Sequence, residues 1–430
     1  MTRMKRGLLF FVFLFGFLFV SHAIAGQEDL YNMFLKYKDL YNSGDFVGAE
    51  RCMITVLASG NRIPQRYIAG AYNNLGLIKM KLGLYTEALD NYNMSETLTP
   101  NVKEHYEELA SIYNNKSRIY TFRKSYSTAI EFLEKAIRLF QTLENQNKSI
   151  LPKLSTAYLN LGIIYYEIRD FSSALDNLEK SVSLKLGNNL SETELAFLNL
   201  AKTYAQTGRF DKAEEYFSIS LNTIKSKFGE DYHRLAEVYF DYGLFLLSEG
   251  RNAEAIEIHR KALSICLKNY GEKHTLVALS WKHLGDDYLA QENYNMALEY
   301  YQKSLISVAD NFDNPDIFSN PQIDSSLFDI RLLDILKSKA HALEIFASEQ
   351  SDNALTLKAI SKSLETIELA LNLIDTIRDN YITEDSQIYL SENEKETYLF
   401  AVHIASRLFS LNGDIAVKDK IYTIAQKAKS

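Results

Sequence analysis

A small residue returns at a near-constant interval inside helical patterning, and this constrains the fold of the chain more than any other feature. Gly76, Ser117, Gly162, Ala201, Gly243 and Gly285 head the series. Twelve residues after each stands an alanine: Ala88, Ala129, Ala174, Ala213, Ala255 and Ala297. Seven residues further on the position is again Ala or Ser, in Ser95, Ala136, Ser181, Ser220, Ala262 and Ser304. The alanines are 41, 45, 39, 42 and 42 residues apart, and self-similarity at such a period marks a tandem array of one supersecondary unit. Seven residues is about two helical turns, so the second and third small positions share one face of one helix, while the first lies on the helix before it. Small side chains on both helices let the backbones approach. Tyr120, Tyr165, Tyr204 and Tyr288 on the first helix, with Tyr92, Phe217 and Tyr301 on the second, fill the flanks. Gly44, Gly83, Gly208 and Gly250 mark the turns, where glycine supplies the left-handed conformation that ends a helix. An aromatic at Phe46, Tyr85, Tyr126, Phe171, Phe210 or Tyr294 follows the turn and closes the hairpin.

Composition agrees with an all-α solenoid. The 430 residues are 47% hydrophobic and 24% charged, the balance of a folded chain. Only 5 prolines and 18 glycines speak against collagen-like or turn-rich all-β folds. A net charge of −8 speaks against a basic face tracking phosphates, so no nucleic-acid partner is expected. Two cysteines make neither a disulfide framework nor a four-cysteine zinc site. Cys52 and Cys266 both sit in apolar helical patterns, and buried free thiols are expected.

The first 25 residues read as an address. Arg3, Lys5 and Arg6 precede the apolar run Leu8 to Val20, and Ala23-Ile24-Ala25 completes a small-residue cleavage pattern. Thirteen apolar residues at about 1.5 Å each fall short of a membrane core of roughly 30 Å. The expectation is a cleaved signal peptide over 1–25, a mature chain from Gly26, no stable membrane insertion afterwards, and a periplasmic or secreted location.

The repeat pattern resembles tetratricopeptide repeats, helix hairpins that stack into a right-handed superhelix. Gly271-Glu272-Lys273-His274, Val277-Ala278, Trp281 and Leu284-Gly285 are similar to the roughly 42-residue repeats of kinesin-light-chain type. Seven repeats are expected over 26–310. A loop over 311–326 carries Pro315 and Pro321, and a divergent eighth pair follows over 327–378 with extra residues near Ser348 to Thr356. The first repeat has Tyr37 where the others are small, which suits a terminal cap. A helical segment over 379–430 completes the chain, with Ser391 and Glu394 as a capping box and a hairpin turn at Gly413-Asp414. The stretch 327–430 resembles the junction between tetratricopeptide repeats and the caspase-like CHAT domain of bacterial proteins. The catalytic His and Cys of that family would lie beyond Ser430, and no catalytic role carries over.

No chemistry-bearing motif stands out. The histidines form no His-Glu-x-x-His pattern, and phosphate-cradling glycine loops and a Gly-x-Ser-x-Gly elbow are absent from the sequence. His274-Thr275 reads as a helix entry with Thr275 as cap. The chain is therefore expected to be a non-enzymatic binder of a protein or peptide, with no cofactor and no metal. Two residues before each small position stand Asn74, Asn115, Asn160, Asn199, Asp241 and His283. The tetratricopeptide resemblance implies that this helix lines a concave groove. An amide there can donate to a peptide carbonyl and accept from a peptide N–H, whatever the side chains. Arg118 and Lys202, with Lys79 and Lys282, would add positive charge. The same asparagines also suit stacking between hairpins, and that alternative stays open at this point. Two rival readings are the recognition half of a CHAT-type cysteine peptidase and the sensor half of a signalling protein.

Overall fold

The computed structural model describes residues 27–144, 147–188, 190, 193–322, 330–380 and 384–428. Among these it holds eighteen α-helices, three short 3₁₀ turns and no strand. The predicted signal segment over 1–25 lies outside the described residues. The chain divides into two compact units, Met1–Leu190 and Ser191–Ser430, and in each the helices form consecutive hairpins. The first unit holds α1 (Gln27–Asn42) with α2 (Phe46–Ala58), α3 (Gln65–Lys81) with α4 (Tyr85–Leu98), α5 (Tyr106–Phe122) with α6 (Tyr126–Glu144), and α7 (Leu151–Glu167) with α8 (Phe171–Gly187). The second holds α9 (Thr193–Gln206) with α10 (Phe210–Phe228), α11 (Arg234–Ser248) with α12 (Asn252–Tyr270), and α13 (Thr275–Ala290) with α14 (Tyr294–Val308). It closes with α15 (Ile330–Ser348) and α16 (Asn353–Asn380), then α17 (Glu384–Asn412) and α18 (Ile415–Lys427).

The three small positions each do a distinct job. At the first, the ring or branched side chain of the second helix lies flat on the first helix. A Cβ on Gly76 would sit 2.4 Å from Tyr92, and one on Gly285 would sit 2.6 Å from Tyr301. The second-position alanines from Ala88 to Ala297 are all fully buried. At the third, serine reaches back across the hairpin: Ser95, Ser181, Ser220 and Ser304 donate to the main-chain oxygens of Ala69, Ser155, Glu194 and Ala278, each 26 residues earlier, at 2.6–2.9 Å. Seven residues after the first position the backbone turns left-handed. Gly83, Gly208 and Gly250 do so at φ 75°, 71° and 73°, and Lys124, Arg169 and Glu292 at φ 61°, 63° and 60°.

Within each unit the first helices of successive hairpins also touch one another, as α3 with α5, α5 with α7, α9 with α11 and α11 with α13. The first helices therefore form a closely spaced row in each unit.

The end of the second unit departs from the repeat. The loop after α14 is held by two lysines. Lys273 Nζ donates to the oxygens of Ile306, Ala309 and Phe312 at 2.9, 3.1 and 3.0 Å. Lys339, fully buried, donates to Gln302 Oε1, the Ser319 oxygen and Asn320 Oδ1 at 2.7, 2.6 and 3.0 Å. Burial pulls its pKa down to about 7. The last four residues of the predicted loop, 323–326, lie outside the described residues. The link within the eighth pair is short, and the added length is helical: α16 has 28 residues and α17 has 29. Ser391 is no cap, because α17 begins at Glu384 and runs through it. Glu394 instead accepts from Lys337 and Thr397 at 2.9 and 2.7 Å. Thr275 is likewise the first residue of α13 and not its cap; His274 caps it, Nδ1 accepting the Leu276 N–H at 3.1 Å. Cys52 and Cys266 are free and buried, and burial pushes both thiols up.

Candidate functional site

In the first unit two of the expected amides, Asn115 and Asn160, bond not to each other but to an asparagine of the preceding repeat that lies outside the expected row. Asn115 Nδ2 donates to Asn73 Oδ1, and Asn160 Nδ2 donates to Asn114 Oδ1, both at 3.1 Å. Each amide thus reaches the residue just before the corresponding amide of the preceding repeat. Asn73 and Asn114 were missed in the sequence reading, although the doublets Asn73-Asn74 and Asn114-Asn115 carried the signal. Asn74 turns away toward Met53 Sδ, 3.5 Å distant. Arg118 is exposed on α5. Burial raises the phenols of Tyr41 and Tyr92, and the charge of Arg118 opposes it. Lys79 is committed to Glu50 and Glu87 at 2.9 and 2.8 Å. An amide has two N–H donors and two acceptor lone pairs. Asn73 spends its oxygen on Asn115, and its N–H groups have no partner among the described residues.

Beside Asn73 opens a cleft of about 540 Å³, within the range of roughly 300–1,000 Å³ usual for ligand pockets. Leu98, Pro100 and Ile112 give it an apolar floor, and Arg66 and Glu108 lie on its walls. The α3 and α5 helices bring these together because their first turns carry Arg66 and Glu108, while the link after α4 folds between them.

In the second unit the same register holds an amide, a carboxylate and an imidazole, at Asn199, Asp241 and His283. Asn199 Nδ2 bonds back to the Leu195 oxygen of its own helix at 2.8 Å. Lys202 pairs with Asp241 at 3.3 Å, and burial raises Asp241 against that pairing. His283 is not a groove residue. It is 5% exposed, its ring stacked 4.9 Å from His259 and 5.2 Å from Phe240. Its Nδ1 has no hydrogen-bond partner, and burial drives its pKa down to about 4 despite Asp286 nearby. The physical reason is the partner ring. His259 occupies the place that Tyr92 and Tyr301 hold elsewhere and lies against Gly243, where a Cβ would meet it at 2.2 Å. Its Nδ1 binds Asp287 Oδ2 at 2.7 Å, both side chains fully buried. Next to them Lys282 pairs with Asp286 at 2.9 Å. Burial works to raise Asp286, but the Lys282 ammonium outweighs it and holds it at about 2.

Among the described residues no group of three His, Cys, Asp or Glu could hold a metal ion. None of the described helices is long and apolar enough to cross a membrane.

Tetratricopeptide repeat models match residues 67–142 and 236–305, and a second tetratricopeptide repeat model matches 159–225. With the hairpin geometry above, these make the chain a tetratricopeptide-repeat protein. A Rap protein complexed with competence and sporulation factor has a similar fold, with a TM-score of 0.56 at 13% identity over 94% of this chain and 99% of that one. The apo form of RapI gives a TM-score of 0.52 at 15% identity over 65% of this chain and 97% of its own. In sequence, the RxLR effector protein SFI4 of Phytophthora infestans (strain T30-4) is 34% identical over 80 residues, 19% of this chain. That match spans 24% of the effector's length.

Proposed function

We propose that this chain is a non-enzymatic recognition scaffold that acts outside the cytoplasm and binds an extended protein segment along the first helices of its first unit. The observation that carries this reading is the pair of amide bridges, Asn115 to Asn73 and Asn160 to Asn114, running beside an open cleft that Asn73 also lines. Bridged amides are fixed in orientation and keep spare donors for a peptide backbone, so little ordering remains to oppose binding. Solenoid repeats commonly offer such extended surfaces to partners. The similarity in fold to a Rap protein complexed with competence and sporulation factor supports a bound partner on a scaffold of this kind.

Panning a displayed random-peptide library on the full chain should enrich binders. Their affinity should fall at least tenfold when Asn73, Asn115 and Asn160 are all replaced by alanine, with helix content and urea midpoint nearly unchanged. A chain that enriches nothing, or a triple variant that simply melts, removes the reading. Export rests on the basic start, apolar run and Ala23-Ile24-Ala25. Cleavage after Ala25 would leave 405 of 430 residues, so the 49.3 kDa chain would run at roughly 46 kDa in cell extracts. A species well above 49.3 kDa would favour the rivals, in which the array serves a CHAT-type peptidase or a signalling protein.

A further inference from the structure

Five titratable side chains line the cleft of the first unit: Arg66, His105, Glu107, Glu108 and Lys153. They are unequal. Glu107 and Lys153 satisfy each other at 2.8 Å, and Lys153 Nζ also reaches Ser111 Oγ at 3.4 Å. Arg66 lies 4.9 Å over the Tyr67 ring and donates to its hydroxyl at 3.2 Å. It has no carboxylate partner among the described residues, nor has Glu108 a cationic one. The cleft therefore holds one uncompensated charge of each sign, on helices α3 and α5, with the apolar Leu98, Pro100 and Ile112 surface in the same cavity.

The floor's own polar groups are spent within the protein. Ser95 Oγ is bonded to the Ala69 oxygen, Thr99 Oγ1 to the Ser95 oxygen, and Gln65 Nε2 to the Leu98 oxygen. What is left to meet a ligand is an aliphatic surface, the spare Asn73 N–H groups, the His105 imidazole, a guanidinium and a carboxylate. An apolar solute would leave both ions without partners. A uniformly acidic or basic segment would satisfy one ion and be repelled by the other.

We infer that this cleft binds a dipolar peptide segment: an aliphatic side chain on the floor, flanked by an acidic residue at Arg66 and a basic residue at Glu108. The inference rests on the peptide-binding reading above and names the chemistry that the cleft selects. Asn73 holds a main-chain carbonyl of the segment, which fixes its direction, and the two ions then read the order of its charges.

The test pans the same displayed library on the full chain and on the charge-exchanged variant Arg66→Glu/Glu108→Arg. Both residues are exposed, so the exchange should leave helix content intact. The neutral variant Arg66→Gln serves as a second check should the exchange disturb α3. Binders to the natural chain should carry one acidic and one basic residue around an aliphatic one. They should bind the exchanged variant about tenfold more weakly, about 1.4 kcal/mol, and recover when their own two charges are swapped. Binders with no paired-charge pattern, or binders indifferent to both variants, overturn the inference. If such binders are still lost on replacing Asn73, Asn115 and Asn160, the groove reading stands and only the dipolar cleft falls.

Discussion

One position of the repeat carries an amide bridged to the preceding repeat at Asn115 and Asn160 in the first unit, and in the second an amide bonded within its own helix at Asn199, then an ion at Asp241 and an imidazole at His283. Asn115 and Asn160 are tied to Asn73 and Asn114. Asp241 is tied to Lys202, and His283 is buried against His259. The hairpin frame is the same in both units: a ring on glycine at Gly76 and Gly285, and a serine stitched 26 residues back at Ser95 and Ser304. The frame therefore does not dictate the chemistry of its inner row. Amides are neutral at every pH and nearly blind to salt. Ions and histidines make the second unit's stability a function of proton activity.

The largest test of that contrast is His259. Replacing it by phenylalanine, as in Phe217 of the preceding repeat, leaves the fully buried Asp287 without its partner. This should cost about 3–5 kcal/mol in urea denaturation. The double variant His259→Phe/Asp287→Ile restores the apolar pairing of the first unit, where Ile78 and Ile119 hold the Asp287 register. It should recover most or all of that loss; a double variant as unstable as the single would show that the pair is not the source.

A smaller effect concerns His283. Its folded pKa of about 4 lies below its ordinary value of 6.5, so between those values the unfolded chain binds the extra proton. Stability should fall as pH drops from 6.5 toward 4, by about 3 kcal/mol in all. His283→Asn, which installs the first unit's residue, should flatten that part of the profile relative to the natural chain. Parallel profiles for the two proteins would contradict the buried, neutral imidazole.

The smallest effect asks whether the frame is equal in both units. Glu292 holds the left-handed turn that Gly83 and Gly250 take without strain. Glu292→Gly should raise the unfolding free energy by up to about 1 kcal/mol, the cost of the left-handed form less the entropy that glycine loses. A lowered midpoint would mean that Glu292 contributes contacts outweighing its backbone strain.

Much of the frame was legible in the residues. The triple small-residue register located the hairpins because close backbone approach admits few side chains, and the turn glycines marked the links. Less of the candidate site was legible. The Asn115–Asn73 bridge joins residues 42 apart, and a spacing rule within one helix does not reveal which neighbour an amide will choose. His283 looked like a groove residue because it keeps the register of Asn160. Its burial follows from the ring at His259, a position read as core only where it was Tyr or Phe. Thr275 lost the cap to His274 because an imidazole nitrogen can accept an N–H as a hydroxyl does. The cleft could not be seen at all, since its walls come from the first turns of two helices and the link between them.

The serine stitches have a bearing on how the chain reaches this state. Each closes a loop of 26 residues within one hairpin, and the ring-on-glycine contact from Tyr92 to Gly76 closes one of 16. Short closures form early and independently, so any of these repeats can nucleate order. The bonds that seat the last two helices are of another kind: Lys420 to Glu368 and Lys427 to Asp375 span 52 residues, Lys337 to Glu394 spans 57, and Arg407 to Glu344 spans 63. Each of these bonds runs from the final hairpin to α15 or α16, so seating that hairpin depends on chain closures at least twice the length of a serine stitch.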